Sequence, residues 1–179
     1  FIWDLATGNI VTTANVPPGT NAVAFGGMYK NVKRRPTGEY QFVTAGKQTL
    51  CHWILEPASG KLSCIKIPAR VQRNYTSVAW SDDYELCVLG SVSGDFGFCA
   101  FLDKRSLTLC DCVDAASGGV NSICCDGNFL DGTVRVVVGG GDGTVCVFTR
   151  DSQGFIEAAK TKLKGSVTSL CFSQDRAEI

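Results

Sequence analysis

One five-residue pattern occurs four times along this chain of 179 residues. Each copy begins with Asn or Thr, continues with Ala or Ser and then with Val, Ile or Leu, has Ala or Cys fourth, and ends in an apolar residue. The copies are Asn21–Phe25, Thr76–Trp80, Asn121–Cys125 and Thr168–Phe172. Their starting positions are separated by 55 residues (21 to 76), 45 residues (76 to 121) and 47 residues (121 to 168). A recurring period of this length indicates tandem repeats, each of which is one supersecondary unit.

Three further apolar segments follow the pattern in each of the first three repeats. A glycine-bearing segment comes first, then a second apolar run, and then a closing run. In chain order these segments are 42–48, 49–55 and 61–67, then 86–95, 96–102 and 106–113, then 134–143, 144–150 and 156–163. Asp142 and Gly143 predict a two-residue hairpin turn, so the second and third strands of a repeat are expected to be antiparallel neighbours. The segment 156–163 also suits a helix because it contains Ala158, Ala159 and Lys160.

Four short strands in each repeat predict the blade of a β-propeller. A β-sandwich is the competing all-β fold, but it gives no reason for one pattern to return at this period. Three full repeats cannot close a ring of four or more blades, so we expect an incomplete arc cut from a longer protein. Such an arc exposes an apolar blade face. The predicted division is 1–17 as the last strands of a preceding blade, 18–67, 68–114 and 115–164 as blades, and 165–179 as the first strand of a following blade.

The residues at the third-strand position connect these repeats with a known family. Trp3 and Asp4 form a Trp-Asp dipeptide that is followed by a turn. The chain therefore resembles the WD40-repeat family, although its later repeats have lost the dipeptide. The Gly-His pair that this family carries before the first strand is also absent, and residues such as Arg73 stand in its place. The only histidine, His52, lies within a third strand, so no repeat can form the family's complete Asp-His-Ser/Thr-Trp network.

A more specific resemblance rests on the order of five segments along the chain. These segments are FVTAGKQTLCHW at 42–53, LGSVSGDFG at 89–97, GGVNSI at 118–123, VVGGGDGTVCVF at 137–148 and GSVTSL at 165–170. Together they resemble the family of the cilia- and flagella-associated WD-repeat protein fifty-two. The resemblance implies a propeller located inside the doublet microtubules of motile axonemes, in contact with tubulin and neighbouring axonemal proteins.

The ten cysteines are predicted to be packing residues in a reducing compartment. Cys124 and Cys171 occupy the repeat position that holds Ala in the other two copies. The spacings Cys110-x-Cys112 and Cys124-Cys125 do not match paired zinc-binding motifs, and a single histidine can supply only one further metal ligand. We therefore predict neither a metal nor a cofactor.

No arrangement of residues predicts catalysis. Cys51 and His52 are adjacent on a strand, so their side chains point to opposite faces and cannot readily form a nucleophile and base pair. The glycine run 139–143 lacks the Lys-Ser/Thr and the helix of a phosphate-binding loop, and a hairpin turn explains it better. The carboxylates of Asp82, Asp83 and Glu85 are expected in a solvated loop. The expectation is that the chain is not an enzyme.

The insertion Gly27–Glu39 accounts for the longer first interval and carries four cations. These are Lys30, Lys33, Arg34 and Arg35, on a chain whose formal net charge is zero. The insertion has two interpretations, a mobile solvated loop or a contact site for an acidic surface such as that of tubulin. Nucleic acid is disfavoured as a partner of the insertion because interleaved aromatic residues and a wider basic face are lacking.

Our leading hypothesis is a non-catalytic scaffold of the ciliary axoneme, and a general cytosolic WD-repeat adaptor is the alternative. A propeller enzyme whose centre lies in a blade outside this sequence is the third hypothesis. No stretch of about 18 apolar residues could span a bilayer, so no membrane contact is expected. The expected location is the cytoplasm, cytoskeleton or axoneme.

Overall fold

The computed structural model describes residues 1–68, 73–101 and 106–173, and all regular elements in these ranges are β-strands. A short hairpin consists of β1 (Ile2–Trp3) and β2 (Ile10–Thr12). Blade 1 consists of β3 (Thr20–Lys30), β4 (Pro36–Gly46), β5 (Thr49–Glu56) and β6 (Lys61–Lys66). Blade 2 consists of β7 (Tyr75–Trp80), β8 (Leu86–Ser91), β9 (Asp95–Phe101) and β10 (Leu107–Asp114). Blade 3 consists of β11 (Val120–Asp126), β12 (Arg135–Gly140), β13 (Thr144–Arg150) and β14 (Phe155–Lys162).

Each blade is an antiparallel sheet whose strands pair in chain order. The predicted all-β fold and the antiparallel pairing of second and third strands are therefore confirmed. The ambiguous segment 156–163 is a strand, because Val147 and its neighbours on β13 pair with it. The turn between β12 and β13 differs from the prediction. It has three residues, and Gly143 at its end takes the left-handed conformation with φ 85°, the pattern of a hairpin turn with a glycine bulge.

The central blade is buried on both of its faces. Along β8, Leu86 and Val88 face blade 3, whereas Cys87 and Leu89 face blade 1. Alternate side chains on a strand point to opposite faces, so a strand between two apolar neighbours is apolar at every position. Two separate cores result, one on each side of blade 2.

Side chains of the repeated pattern connect each inner strand to the next blade. Asn21 Nδ2 donates to the Tyr75 carbonyl oxygen over 3.1 Å, and Asn121 Nδ2 donates to the Val167 carbonyl oxygen over 3.1 Å. Thr76 Oγ1 donates in the same way to the Val120 carbonyl oxygen. The acceptor is always the residue directly before the next copy of the pattern. The Asn or Thr that opens the pattern is therefore a connector between blades.

The residue that accepts this hydrogen bond also packs closely against the second strand of the preceding blade. A Cβ atom at Gly90 would lie 2.4 Å from Val120 Cγ1, and one at Gly139 would lie 2.4 Å from Val167 Cγ1. Contacts this short are not tolerated, so glycine is required at both positions for adjacent inner strands to approach.

The fourth copy of the pattern departs from the prediction of a strand. Residues 168–172 adopt no regular structure, because no strand among the described residues forms a ladder with them. The segment still contacts blade 3, since the Val167 N–H donates to the Gly140 carbonyl oxygen over 3.0 Å and Leu170 N–H to Ser122 Oγ over 2.9 Å. Residues 174–179, at the end of this predicted strand, lie outside the described part of the chain.

Each blade contains a local hydrogen bond between polar side chains. Trp53 Nε1 donates to Thr44 Oγ1 over 2.8 Å in blade 1. In blade 2, Arg73 Nε donates to Asp95 Oδ2 over 2.8 Å. In blade 3 the hydrogen bonds from Thr144 and Ser117 hold the pKa of Asp142 below its usual range.

The packing prediction holds for the cysteines of the second and third strands. Cys51, Cys87, Cys99 and Cys146 are buried, and burial raises the pKa of the Cys51 thiol to about 11. Cys124 is half-buried, and its pKa is raised to about 12 by burial and then by Asp126. The prediction was wrong for Cys64 and Cys110, which are exposed on the edge strands β6 and β10, and for Cys171, which is exposed because the fourth copy of the pattern forms no strand.

The aromatic cluster between blades 2 and 3 leads to a stability prediction. Phe96 is fully buried, with its ring centroid 4.9 Å from that of Phe148 and 5.6 Å from that of Phe155. We expect Phe96→Ala to lower the free energy of unfolding by about 3–5 kcal/mol, because the lost ring leaves a cavity. Val92→Ala, at an exposed side chain in the preceding turn, is the control and should change it by less than about 0.5 kcal/mol. Equal losses of unfolding free energy in the two variants, measured by urea denaturation, would contradict the proposed packing.

Candidate protein-binding hairpin

The insertion Gly27–Glu39 forms the outer part of a β-hairpin and is not an irregular loop. Strands β3 and β4 contain 11 residues each, whereas their counterparts β7 and β8 contain 6 each. An excess of five residues at the usual rise of a strand extends the hairpin by about 16 Å. The structure therefore provides an arm at the end of blade 1.

The tip of the arm is a compact turn from Asn31 to Arg35. The Arg34 N–H donates to the Asn31 carbonyl oxygen over 2.7 Å, and the Asn31 N–H donates to the Arg35 carbonyl oxygen over 2.9 Å. Asn31 Oδ1 accepts from the backbone N–H groups of Lys33 and Arg35. Asparagine favours such local bonds in turns, so this residue fixes the conformation of the tip.

The base of the arm packs on aromatic side chains of blade 2. A Cβ atom at Gly26 would lie 2.7 Å from the Trp80 ring, and one at Gly27 would lie 2.4 Å from the Tyr84 ring. Gly27 also has φ 65°, and the pairing register shifts between Phe25 and Met28. A glycine bulge bends a strand, so it directs the arm across blade 2.

Lys30 attaches the arm to blade 2 by polar contacts. Its Nζ donates to the Asp83 carbonyl oxygen over 2.8 Å and lies 3.5 Å from Glu85 Oε1. The Glu85 side chain is only 2% exposed, so the pair is screened less by solvent than a surface ion pair. Among the four predicted contact residues, Lys30 therefore has a structural role.

The acidic segment after β7 joins all three blades and is not a freely solvated loop. The Gly127 N–H donates to Asp82 Oδ2 over 2.9 Å, and the Leu130 N–H donates to Asp83 Oδ2 over 3.1 Å. Asp83 also accepts the hydrogen bond from Lys30 through its carbonyl oxygen, and Asp82 is the adjacent residue. The base of the arm is thus held against a loop that is itself fixed to blade 3.

His52 supports the same base from within blade 1. Gln41 Nε2 donates to the Gly26 carbonyl oxygen over 2.9 Å, which leaves Gln41 Oε1 to accept from His52 Nε2 over 3.0 Å. The imidazole is buried beside the Tyr29 and Phe101 rings. His52 is therefore a buried packing residue beneath the base of the arm.

The remaining three predicted cations lie together at the tip. Lys33, Arg34 and Arg35 are exposed, and the adjacent Val32 is 64% exposed. No ion pair within the described residues involves these three side chains. The tip therefore presents three positive charges and one apolar side chain on a fixed support.

A wide apolar cleft of about 1020 Å³ lies between the β1–β2 hairpin and the outer face of blade 1. Trp3, Phe25 and Tyr40 contribute to its lining. The corresponding face of blade 2, around Trp80, is covered by blade 1. The cleft is thus the exposed blade face that the sequence predicted.

The described residues contain neither a cluster of metal ligands nor a membrane-spanning helix. Across residues 1–68, 73–101 and 106–173 there is no group of three or more His, Cys, Asp or Glu residues placed to hold a metal ion. The same ranges contain no helix that could cross a membrane.

Sequence reasoning missed the anchoring residues of the arm. Trp80 and Tyr84 belong to another repeat, so their contact with Gly26 and Gly27 could not be read from local patterns. The Gly-Gly pair inside an apolar strand was the available signal, because glycine within a strand marks a bulge or a close approach.

Comparison with known proteins defines the fold. No protein-family model matches the chain, and no curated protein sequence matches it. Among solved structures, the chain is similar to U3-55K, a WD40-type β-propeller protein, with a TM-score of 0.61 and 12% sequence identity. The similarity covers 87% of this chain and 43% of the U3-55K chain. The chain therefore has a WD40-type β-propeller fold and forms an incomplete arc of three four-stranded blades with part of another blade beside them.

Proposed function

We propose that this arc belongs to a non-catalytic scaffold and that the tip of its β3–β4 arm binds an acidic protein surface. The observation that carries the proposal is the attachment of the arm to blade 2 through Tyr84 and Lys30. A binding element that is ordered before it meets its partner loses little conformational entropy on docking. A small loss of conformational entropy on docking suits a permanent structural component.

The charge of the tip favours an acidic partner. Lys33, Arg34 and Arg35 are consecutive and exposed, and arginine forms bidentate hydrogen bonds with carboxylates. Their positive field is local because the chain as a whole has a formal net charge of zero.

We further propose that the acidic surface is that of tubulin inside axonemal doublet microtubules, together with neighbouring axonemal proteins. This identification rests on the sequence resemblance to the ciliary WD-repeat family. A general cytosolic adaptor would use the same arm for a different acidic partner.

Charge reversal at the tip tests the binding proposal. We expect the triple substitution Lys33→Glu, Arg34→Glu, Arg35→Glu to weaken binding to purified tubulin by about 3- to 150-fold, as estimated from three lost surface ion pairs. The measurement is the dissociation constant at low and at physiological salt, and the wild-type affinity should fall as salt rises.

The matched control reverses three exposed lysines elsewhere on blade 1, namely Lys47, Lys61 and Lys66. This control changes the net charge equally and should retain most of the affinity. Equal weakening of binding by both triple variants would show that net charge, and not the arm, governs the interaction.

Fractionation of motile axonemes tests the proposed location. We expect the full-length protein to remain with the doublet microtubules after detergent and salt extraction, because a component enclosed in the lumen is not released by washing the outer surface. Recovery with the detergent-soluble membrane and matrix fraction would contradict the axonemal proposal and favour the cytosolic adaptor.

A further inference from the structure

We propose that Thr37 is a phosphorylation site for a Ser/Thr protein kinase that recognises basic residues, and that its phosphate weakens binding of the arm to an acidic partner. The second half of this proposal rests on the proposed function, whereas the first half does not.

The sequence before Thr37 carries the charges that such kinases recognise. Lys33, Arg34 and Arg35 lie four, three and two residues before the hydroxyl. Arg34 and Arg35 are the only adjacent pair of arginines in the sequence. Kinases select substrates by charge pattern, and carboxylates in a substrate groove bind arginine through strong charge-assisted hydrogen bonds.

Thr37 is exposed and lies in an extended segment at the end of the arm. Strand pairing is sparse here, because the register shifts between the pairs Lys30 with Pro36 and Met28 with Tyr40. Gly38 has φ 86°, and the space around it is open. A kinase can therefore approach this segment from the side.

Only local hydrogen bonds hold the hydroxyl. Thr37 Oγ1 donates to the Tyr29 carbonyl oxygen over 3.0 Å and accepts from the Glu39 N–H over 3.2 Å. Both contacts are exposed, so water can replace them when the hydroxyl enters an active site.

Three other Ser or Thr hydroxyls that lie two or three residues after an arginine are less suitable. Thr108 lies three residues after Arg105, but it is half-buried within β10. Thr76 lies three residues after Arg73, but its hydroxyl donates to the Val120 carbonyl oxygen in the contact between blades 2 and 3. Ser152 lies two residues after Arg150, and the intervening Asp151 reduces the local positive charge.

The reaction is phosphoryl transfer from magnesium-bound ATP. A new bond forms between Thr37 Oγ1 and the γ-phosphorus, and the bond from the γ-phosphorus to the β,γ-bridging oxygen breaks. The kinase's catalytic aspartate accepts the hydroxyl proton, and ADP leaves. The phosphate brings a charge of about −1.5 to −2, so the tip changes from three positive charges to about one. Arg34 and Arg35 then have an intramolecular anion to bind in place of the partner.

A kinase assay on the intact chain tests the site. The catalytic domain of an arginine-directed Ser/Thr kinase is supplied with magnesium and ATP, and peptide mass spectrometry locates the phosphate. In the wild-type chain we expect the phosphate on Thr37. The same peptide of Thr37→Val should carry no phosphate. The double variant Arg34→Gln, Arg35→Gln should be phosphorylated at Thr37 at a rate at least about tenfold lower than wild type. Thr7→Val, which removes an exposed hydroxyl without nearby arginines, is the control and should behave as wild type. Absence of phosphate on the wild-type chain, or equal incorporation in wild type and Thr37→Val, would overturn the proposal.

A tubulin-binding measurement on the purified phosphorylated chain tests the regulatory half. We expect the affinity to fall by about 2- to 30-fold relative to the unmodified chain, the effect of losing two surface charges. Unchanged or tighter binding would overturn this half. If the unmodified chain does not bind tubulin, the proposed function fails and the regulatory half fails with it, while the kinase assay still decides whether Thr37 is a site.

Discussion

The hydrogen bond from an inner-strand side chain to the backbone of the next blade is the contact on which the rest of the structure depends. Asn21 and Asn121 make it with their amides, and Thr76 makes it with its hydroxyl. A single hydrogen bond contributes only about 0.5–1.5 kcal/mol, and each of these contacts is partly buried, so loss of the side chain also leaves the accepting carbonyl poorly solvated. Each contact therefore selects one position of the next blade, and the apolar cores on both sides of blade 2 then provide most of the stabilisation.

This fixed arrangement of blades gives the β3–β4 arm its support. Trp80 and Tyr84 reach Gly26 and Gly27 because β7 lies directly beside β3, and Lys30 reaches Asp83 and Glu85 for the same reason. Asp83 in turn accepts from blade 3. The orientation of the exposed cations at the tip is thus a consequence of contacts among all three blades. A substitution in an interblade core would alter the tip without touching it.

The sequence was sufficient for the repeat, the strand order and the apolar blade faces, because these depend on periodicity. It was not sufficient for features that depend on contacts between repeats. The insertion was expected as a loop, since nothing local to Gly27–Glu39 reveals its support from Tyr84. The segment 168–172 was expected as a strand. The pattern specifies only which side chains are apolar, whereas a strand also needs a second strand with which to form backbone hydrogen bonds. Lys30 and Arg35 looked equivalent in sequence, and only the structure separates the anchor from the exposed tip.

Hydrogen–deuterium exchange of the arm tests the central claim most directly, which is that the arm is a preformed element attached to blade 2. In the wild-type chain, the amides at the base of the arm, in residues 25–30 and 40–42, should be protected from exchange because β3 and β4 pair there and the base packs on blade 2. Gly27→Val should make the arm exchange much faster and leave blade 3 unchanged, because a side chain there meets the Tyr84 ring and strains a backbone with φ 65°. Rapid exchange of these base amides in the wild-type chain would contradict the account, since the arm would then not be attached to blade 2.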